Sequence, residues 1–396
     1  MRCLKRLFSS GVVSTGFAMF SMFFGAGNVV FPLAVGRYAG NKVFFAAFGF
    51  ILTAVFIPFI GLVGTILFDG DYKKYFDRIG RVPGKVTVFF LMALVGPFLA
   101  IPRCVTISFS TVKTYLPGVS LFYFSLIASA VLFVLAVRKS KVVDILGMIL
   151  SPILIISLLV IIAGGIFYYV PPAQKLMTNT HALANGIIQG YNTMDLLGAF
   201  FFASVVIASL KLHLDKAYGT YSISTLIKET FKAGFIGLSL LGFICVGLNY
   251  ITACYGHIVG GIGEDELIRE VAFRILGPWA GLVVSVAVSA ACLTTAIVLS
   301  VIFADFLRDQ VLLGKIEYRY SLLVTTVITF AMANLGFSGI ARIFSPVLEA
   351  VYPALIMIAF VNVAYKLFGI KSVKLPVYTT LFISLLWVVL SHVGIV

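Results

Sequence analysis

The sequence has 396 residues, of which 61% are hydrophobic and only 11% are charged, and its mean hydropathy is +1.11. A water-soluble fold has about a quarter of its residues charged, so soluble, disordered, collagen-like and disulfide-rich classes are excluded. The net charge of +14 then reports membrane topology, and no nucleic-acid partner is expected. The chain is predicted to be an integral membrane protein whose surrounding partner is the lipid bilayer.

Long apolar runs predict eleven transmembrane helices and an all-α polytopic fold. A helix needs about 20 apolar residues to cross the bilayer, and these continuous runs lack the alternation of a β-barrel. The predicted spans are 11–36, 42–68, 85–112, 119–137, 142–170, 186–210, 231–254, 276–306, 320–336, 345–366 and 375–394. Because the connecting loops are short, residues 1–396 are predicted to form a single transmembrane domain.

Basic residues predict the orientation. With a cytoplasmic amino terminus, 21 of the 29 basic residues fall on the cytoplasmic side and seven fall outside. Lysine and arginine are concentrated in cytoplasmic loops of membrane proteins, so we expect the amino terminus in the cytoplasm and the carboxyl terminus outside. The outer loop after the seventh span is acidic, with Glu264, Asp265, Glu266 and Glu270.

The first span contains a predicted helix break in the run Phe23-Phe24-Gly25-Ala26-Gly27-Asn28. Glycine lowers helix stability by about 1 kcal/mol relative to alanine, and Pro32 follows about one turn later. Unwound backbone persists inside a membrane only where it lines a cavity or lies within the protein. The alternative interpretation is that these small residues allow two helices to pack closely.

The sixth span is interrupted by the polar run Gln189-Gly190-Tyr191-Asn192-Thr193-Met194-Asp195. The alternative is that the helix begins after this run, which would then be an outer loop. Paired interrupted helices in corresponding positions indicate the binding site of a transporter. They predict two inverted five-helix repeats, at about 11–170 and 186–366, with an extra helix at about 375–394.

The eighth span carries adjacent hydroxyl groups in the run Ala291-Cys292-Leu293-Thr294-Thr295. Neighbouring threonine hydroxyls together with a freed carbonyl oxygen would make a site for a small hard cation. The alternative is that each hydroxyl bonds to its own helix backbone, as threonine often does in membrane helices.

Two further ionisable residues inside spans are candidates for gating. Arg103 follows Gly96-Pro97 in the third span, and Glu349 lies at the start of the tenth. Charged side chains are costly in hydrocarbon, so each is expected to form a pair, reach the interface or gate a pathway. The four histidines lie near span ends without a Cys, Asp or Glu at ligand spacing, so neither an enzyme nor a bound cofactor is predicted.

Three motifs in order resemble the bacterial branched-chain amino acid:cation symporter family, the BrnQ-type carriers. They are Gly16-Phe17-Ala18-Met19-Phe20 leading into Phe24-Gly25-Ala26-Gly27-Asn28 and Phe31-Pro32, then Gly96-Pro97 to Arg103, then Gly190-Tyr191 with Thr193-Met194-Asp195. The family resembles the amino acid–polyamine–organocation superfamily. The resemblance implies the five-plus-five inverted repeat of the leucine transporter and uptake of leucine, isoleucine and valine across the bacterial inner membrane.

The resemblance also implies site residues. The substrate would be bound by the two breaks, at Gly25, Ala26, Gly27, Asn28, Tyr191, Thr193 and Asp195. Sodium would be bound by Ala291, Thr294 and Thr295 together with the carbonyl groups of Ser21 and Phe24. Proton-coupled relatives in the superfamily have a lysine of the fifth span at the sodium position, and this sequence has none between Asp144 and Tyr169.

The functional prediction is a sodium-coupled symporter that works by alternating access, with Na⁺ as the coupling ion and no other cofactor. The alternatives are a carrier of the same fold that uses protons or takes another neutral amino acid. A channel is less favoured because the polar residues cluster at mid-depth and do not line a continuous pore. The sequence makes no prediction of the oligomeric state.

Overall fold

A computed structural model describes residues 10–113, 115, 117–137, 142–168, 170–218, 223–256 and 261–393. All regular elements within these ranges are helical, which confirms the predicted class. The helices are α1 (Ser10–Phe23), α2 (Ala26–Ala39), α3 (Val43–Ile51), α4 (Ile57–Ile66), α5 (Tyr72–Phe76), α6 (Arg81–Ala93), α7 (Ala100–Val112), α8 (Leu121–Val137), α9 (Val142–Phe167), α10 (Asn179–Asn192), α11 (Asp195–Tyr218), α12 (Ile223–Tyr255), α13 (Leu267–Leu276), α14 (Pro278–Phe306), α15 (Tyr318–Ala333), α16 (Gly336–Phe368) and α17 (Lys374–Val393).

All of these helices except the short α5 and α13 correspond to the eleven predicted spans. Four spans are made of two helices each, α1 with α2, α3 with α4, α6 with α7 and α10 with α11, and the other seven are α8, α9, α12 and α14 to α17. Six described segments are long and apolar enough to cross a membrane, and shorter apolar helices accompany them. The chain is therefore a multi-pass membrane protein. Its division into repeats at the boundaries given above stays a prediction.

Three predicted helix starts were wrong because the helices extend beyond the apolar runs that predicted them. The tenth span begins at Gly336 and not at residue 345. The sixth span begins at Asn179 and not at residue 186, since the Thr178 side chain accepts a hydrogen bond from the His181 N–H (3.2 Å) and caps the helix. The seventh begins by Ile223 and not at residue 231, and its polar end is stabilised by a Lys232–Glu229 ion pair of 2.8 Å.

The third span is kinked at Gly96-Pro97, and this kink precedes the helix that carries Arg103. Residues Leu94–Phe98 form a π-helical turn in which Gly96 has non-helical angles of φ −88° and ψ −131°. A Cβ atom on Gly96 would lie 2.8 Å from the Phe303 ring. Proline and glycine together account for the kink, and α7 starts directly afterwards at Ala100.

Glycines bring four spans into backbone contact. A Cβ atom on Gly186 of α10 would lie 1.9 Å from the Ala46 carbonyl oxygen of α3, and one on Gly36 of α2 would lie 2.0 Å from the Asn249 carbonyl oxygen of α12. Small residues permit such close approach between membrane helices. The two interrupted spans are thus each held tightly against a neighbouring span.

We expect Gly186→Ala to destabilise the protein by about 1–3 kcal/mol, because the added methyl group meets a backbone carbonyl and forces the helices apart. The measurement is the thermal unfolding midpoint of the detergent-solubilised protein. Gly242→Ala is the matched control, since its Cβ would have no contact closer than 3.6 Å and alanine favours the helix. An unchanged midpoint for Gly186→Ala would contradict the packing.

Candidate functional site

The first span is broken between α1 and α2. The Gly25 N–H donates to the Phe23 carbonyl two residues back (2.8 Å), and not to the carbonyl four residues back as in a continuous helix. Gly25 itself is extended, with φ −107° and ψ −164°. The break therefore exposes polar backbone in the middle of the span, as predicted.

The second break lies between α10 and α11, at Thr193 and Met194. Met194 has φ +64°, a left-handed conformation that is strained for a residue with a side chain. The Thr193 hydroxyl donates to the Gly190 carbonyl (2.8 Å) and so closes the end of α10. Because α10 is a full helix before the break, the alternative of a late helix start is wrong.

The two breaks contact each other directly. A Cβ atom on Gly27 would lie 2.8 Å from the Thr193 Cα. The Asn28 side-chain amide donates to both Asp195 carboxylate oxygens at 2.9 Å and to the Phe23 carbonyl at 2.8 Å. Asn28 is 1% exposed and Asp195 is 5% exposed, so one buried amide connects the end of α1 with the start of α11.

A cavity opens where the breaks meet. Its empty volume, counted with its open side, is about 480 Å³. Its polar boundary includes the two breaks, and its apolar boundary comes from the surrounding spans. The lining residues include Met22, Gly25, Ala26, Gly27, Asn28, Val95, Ala100, Arg103, Thr193, Asp195, Phe202, Thr295 and Leu299.

Six of the seven predicted substrate-binding residues line this cavity, and Tyr191 does not. The Tyr191 ring instead stacks on Tyr352 of α16, with centroids 4.7 Å apart and planes at 23°. The Tyr352 hydroxyl accepts a hydrogen bond from the Leu196 N–H (3.2 Å) at the start of α11. Tyr352 of the tenth span therefore supports the break in the sixth span. The sequence alone did not indicate this role, because the neighbouring Pro353 is the local signal at that position and it does not predict a contact with the sixth span.

The predicted cation residues are only partly brought together around the first break. Thr295 lines the cavity beside Gly25, where a glycine Cβ would lie 3.4 Å from the Thr295 methyl carbon. The Thr294 hydroxyl donates to the Ala291 carbonyl (2.8 Å), and the Ser21 hydroxyl donates to the Phe17 carbonyl (3.1 Å). Phe24 is buried and stacks on Phe20. Hydroxyl and carbonyl oxygens are the ligands available here to a hard cation.

Of the two gating candidates, Arg103 lines the cavity and Glu349 does not. Glu349 is half-buried in α16. Arg103 is completely buried, and its Nη1 donates to the Asn192 carbonyl (2.8 Å) at the end of α10. The carbonyl end of a helix favours a cation, so this position suits the arginine.

The acidic loop after the seventh span packs against the amino-terminal half of the protein. Arg37 of α2 donates to the Ile262 carbonyl (2.8 Å), and the Ser110 hydroxyl of α7 donates to the Asp265 carboxylate. Partial burial raises the pKa of the Glu264 carboxyl, and the nearby Arg37 guanidinium opposes that rise. The loop thereby connects α2 with α7.

The family model for branched-chain amino acid transport proteins matches residues 9–395. The chain belongs to this family. It is 33% identical over 364 residues to the branched-chain amino acid permease BraB of Bacillus subtilis strain 168, which covers 89% of this chain and 80% of the relative. The family and this relative confirm that the chain is a transporter and not an enzyme.

Two solved transporter structures share the fold. The inward-facing conformation of Mhp1 has a TM-score of 0.64 at 14% identity and covers 90% of this chain and 78% of its own. MhsT in complex with L-phenylalanine has a TM-score of 0.58 at 16% identity and covers 96% and 97%. These similarities confirm the predicted fold of the leucine transporter with broken first and sixth spans.

We expect Asn28→Asp to destabilise the protein by at least about 3 kcal/mol. The change removes the donor to Phe23 and to Asp195, and each buried group left unsatisfied costs about 1–3 kcal/mol. Adding Asp195→Asn should recover much of the loss, because the new amide can donate to the carboxyl at position 28. Thermal midpoints of the single and double variants measure this coupling.

Asn334→Asp is the matched control for that cycle. It also removes an amide that donates to a carbonyl, that of Phe330 (2.7 Å), and to the Ser125 hydroxyl (3.0 Å). Asp195→Asn should not rescue it. Equal behaviour of the two pairs would show that Asn28 and Asp195 do not act together.

Proposed function

We propose that this protein imports leucine, isoleucine and valine together with Na⁺ by alternating access. The observation that carries the proposal is the cavity between the two broken spans, which combines a buried carboxylate, helix ends and an apolar wall. Such a site suits a small zwitterion with an aliphatic side chain. The cavity also has Thr295 beside the first break, which supports coupling to a cation at the same place.

The polar part of the substrate would lie against the breaks. The amino end of α2 carries backbone N–H groups without helical partners and a positive end of the helix dipole. This end suits the substrate carboxylate. Asp195 lines the same cavity and would balance the substrate ammonium group. Asn28 keeps the Asp195 carboxylate oriented through both oxygens.

The aliphatic side chain would occupy the apolar wall formed by residues such as Met22, Val95, Phe202 and Leu299. Burial of a leucine-sized side chain contributes about 1.5–3 kcal/mol. One methylene more or less changes selectivity by only about 10–200-fold. We therefore expect overlapping use of leucine, isoleucine and valine.

Sodium would be bound between the first and eighth spans by the Thr294 and Thr295 hydroxyls and by the carbonyl groups of Ala291, Ser21 and Phe24. Discontinuous helices offer such carbonyl groups to coupling ions. Binding there would hold the first break in the shape that receives the substrate, so the ion and the amino acid favour each other. The proposed location is the bacterial inner membrane, with the amino terminus in the cytoplasm.

The test of this function is uptake of radiolabelled leucine into proteoliposomes under an imposed inward Na⁺ gradient or an inward H⁺ gradient, at matched membrane potential. We expect uptake with the Na⁺ gradient and competition by isoleucine and valine. Uptake with the H⁺ gradient alone would replace the sodium proposal with proton coupling. Absence of leucine uptake by verified, folded protein would contradict the substrate class.

Thr295→Ala should raise the Na⁺ concentration for half-maximal uptake by about tenfold or more, because a hydrogen-bonding oxygen next to a charge contributes about 1.5–3 kcal/mol. Ser300→Ala is the matched control in the same helix. Its hydroxyl is buried but bonds to the Ala296 carbonyl (2.7 Å), outside the cavity. Identical sodium dependence in both variants would remove Thr295 from the cation site.

A further inference from the structure

Arg103 is a buried cation whose hydrogen-bonding capacity is only partly used. Its side chain is 0% exposed, and its Nη1 donates to the Asn192 carbonyl at 2.8 Å. In the part of the chain that the structure describes, Nε and Nη2 have no hydrogen-bond partner. Leaving buried charged donors unpaired is costly, so these two atoms indicate a missing acceptor.

The two unpartnered atoms form one edge of the guanidinium group. Arg308 of the same protein shows what this edge binds: its Nε and Nη2 donate to the two carboxylate oxygens of Asp309, at 2.6 and 2.9 Å. Two parallel N–H groups match the two oxygens of a carboxylate. The acceptor that fits Arg103 is therefore a carboxylate.

The aromatic neighbours of Arg103 do not satisfy this edge. The guanidinium carbon lies 5.2 Å from the centroid of the Phe31 ring and 5.9 Å from that of the Phe337 ring. Aromatic rings interact favourably with the positive charge, but they accept neither N–H bond in the way that a carboxylate does. Asp195 receives side-chain hydrogen bonds from Asn28 and not from Arg103, and no carboxylate among the described residues accepts from Nε or Nη2 of Arg103.

Arg103 also lies at the right site to meet the substrate. It lines the cavity together with Asn28 and Asp195, and its bond to Asn192 fixes it to the second break. We propose that the Nε–Nη2 edge of Arg103 binds the carboxylate of the transported amino acid. This assignment rests on the proposed function and deepens it: the substrate carboxylate beside the amino end of α2 would also accept the two N–H groups of a fixed guanidinium group, while Asp195 balances the ammonium group, so the site requires an α-amino acid with a free carboxylate.

The test compares leucine with leucinamide, which keeps the side chain and the ammonium group but has no carboxylate. Dissociation constants come from the concentration dependence of ligand-induced thermal stabilisation of the purified protein. We expect the unsubstituted protein to bind leucine about 10–100-fold more tightly than leucinamide, the range for charge-assisted hydrogen bonds. Arg103→Lys should reduce this ratio to a few-fold by weakening leucine alone, since lysine keeps the charge but lacks the two-pronged edge.

Arg37→Lys is the matched control. Arg37 also donates to a backbone carbonyl, that of Ile262, but it does not line the cavity, and its substitution should leave the ratio unchanged. If Arg103 only caps α10, Arg103→Lys weakens both ligands by the same factor, and the proposal is overturned.

Two results need no variant. Equal affinity of the unsubstituted protein for leucine and leucinamide overturns the assignment of Arg103 while leaving leucine binding, and thus the proposed function, in place. Failure of the unsubstituted protein to bind leucine contradicts the proposed function itself, and the assignment of Arg103 fails with it.

Discussion

A helix interrupted inside a membrane must find partners for its backbone within the protein, and here one asparagine amide provides the central connection. Asn28 donates to the Phe23 carbonyl at the end of α1 and to both oxygens of Asp195 at the start of α11. Hydrocarbon offers no alternative partners to these groups. The shape of both breaks, and with it the cavity between them, depends on this amide.

The buried charges of the site follow the polarity of the helix ends. Asp195 begins α11, where the N–H groups favour an anion, and Arg103 faces the carbonyl end of α10, where a cation is favoured. Each buried charge is therefore stabilised by the helix end beside it. Asp195 follows Thr193 and Met194 directly in the sixth span, and Arg103 of the third span contacts Asn192 just before them, so a cation and an anion flank the second break.

Much of the fold and the position of the breaks could be predicted from the sequence, because both depend on local properties. Apolar runs set the spans, and Gly25 and the polar run ending at Asp195 marked the interruptions. Helix ends were less predictable, since a polar cap such as Thr178 extends a helix without adding hydropathy. The stacking of Tyr191 on Tyr352 and the bond from Arg103 to Asn192 arise only from tertiary packing, so no local pattern announces them.

The glycine contacts described for Gly36, Gly186 and Gly27 leave no clearance between backbones. Backbone atoms in contact cannot give way by a change of rotamer, whereas side chains such as Phe303 against Gly96 can. The first, second, sixth and seventh spans therefore resist sliding past one another, and we expect them to move together as one rigid unit. We therefore expect any motion that opens the cavity to occur between this rigid unit and the third and eighth spans.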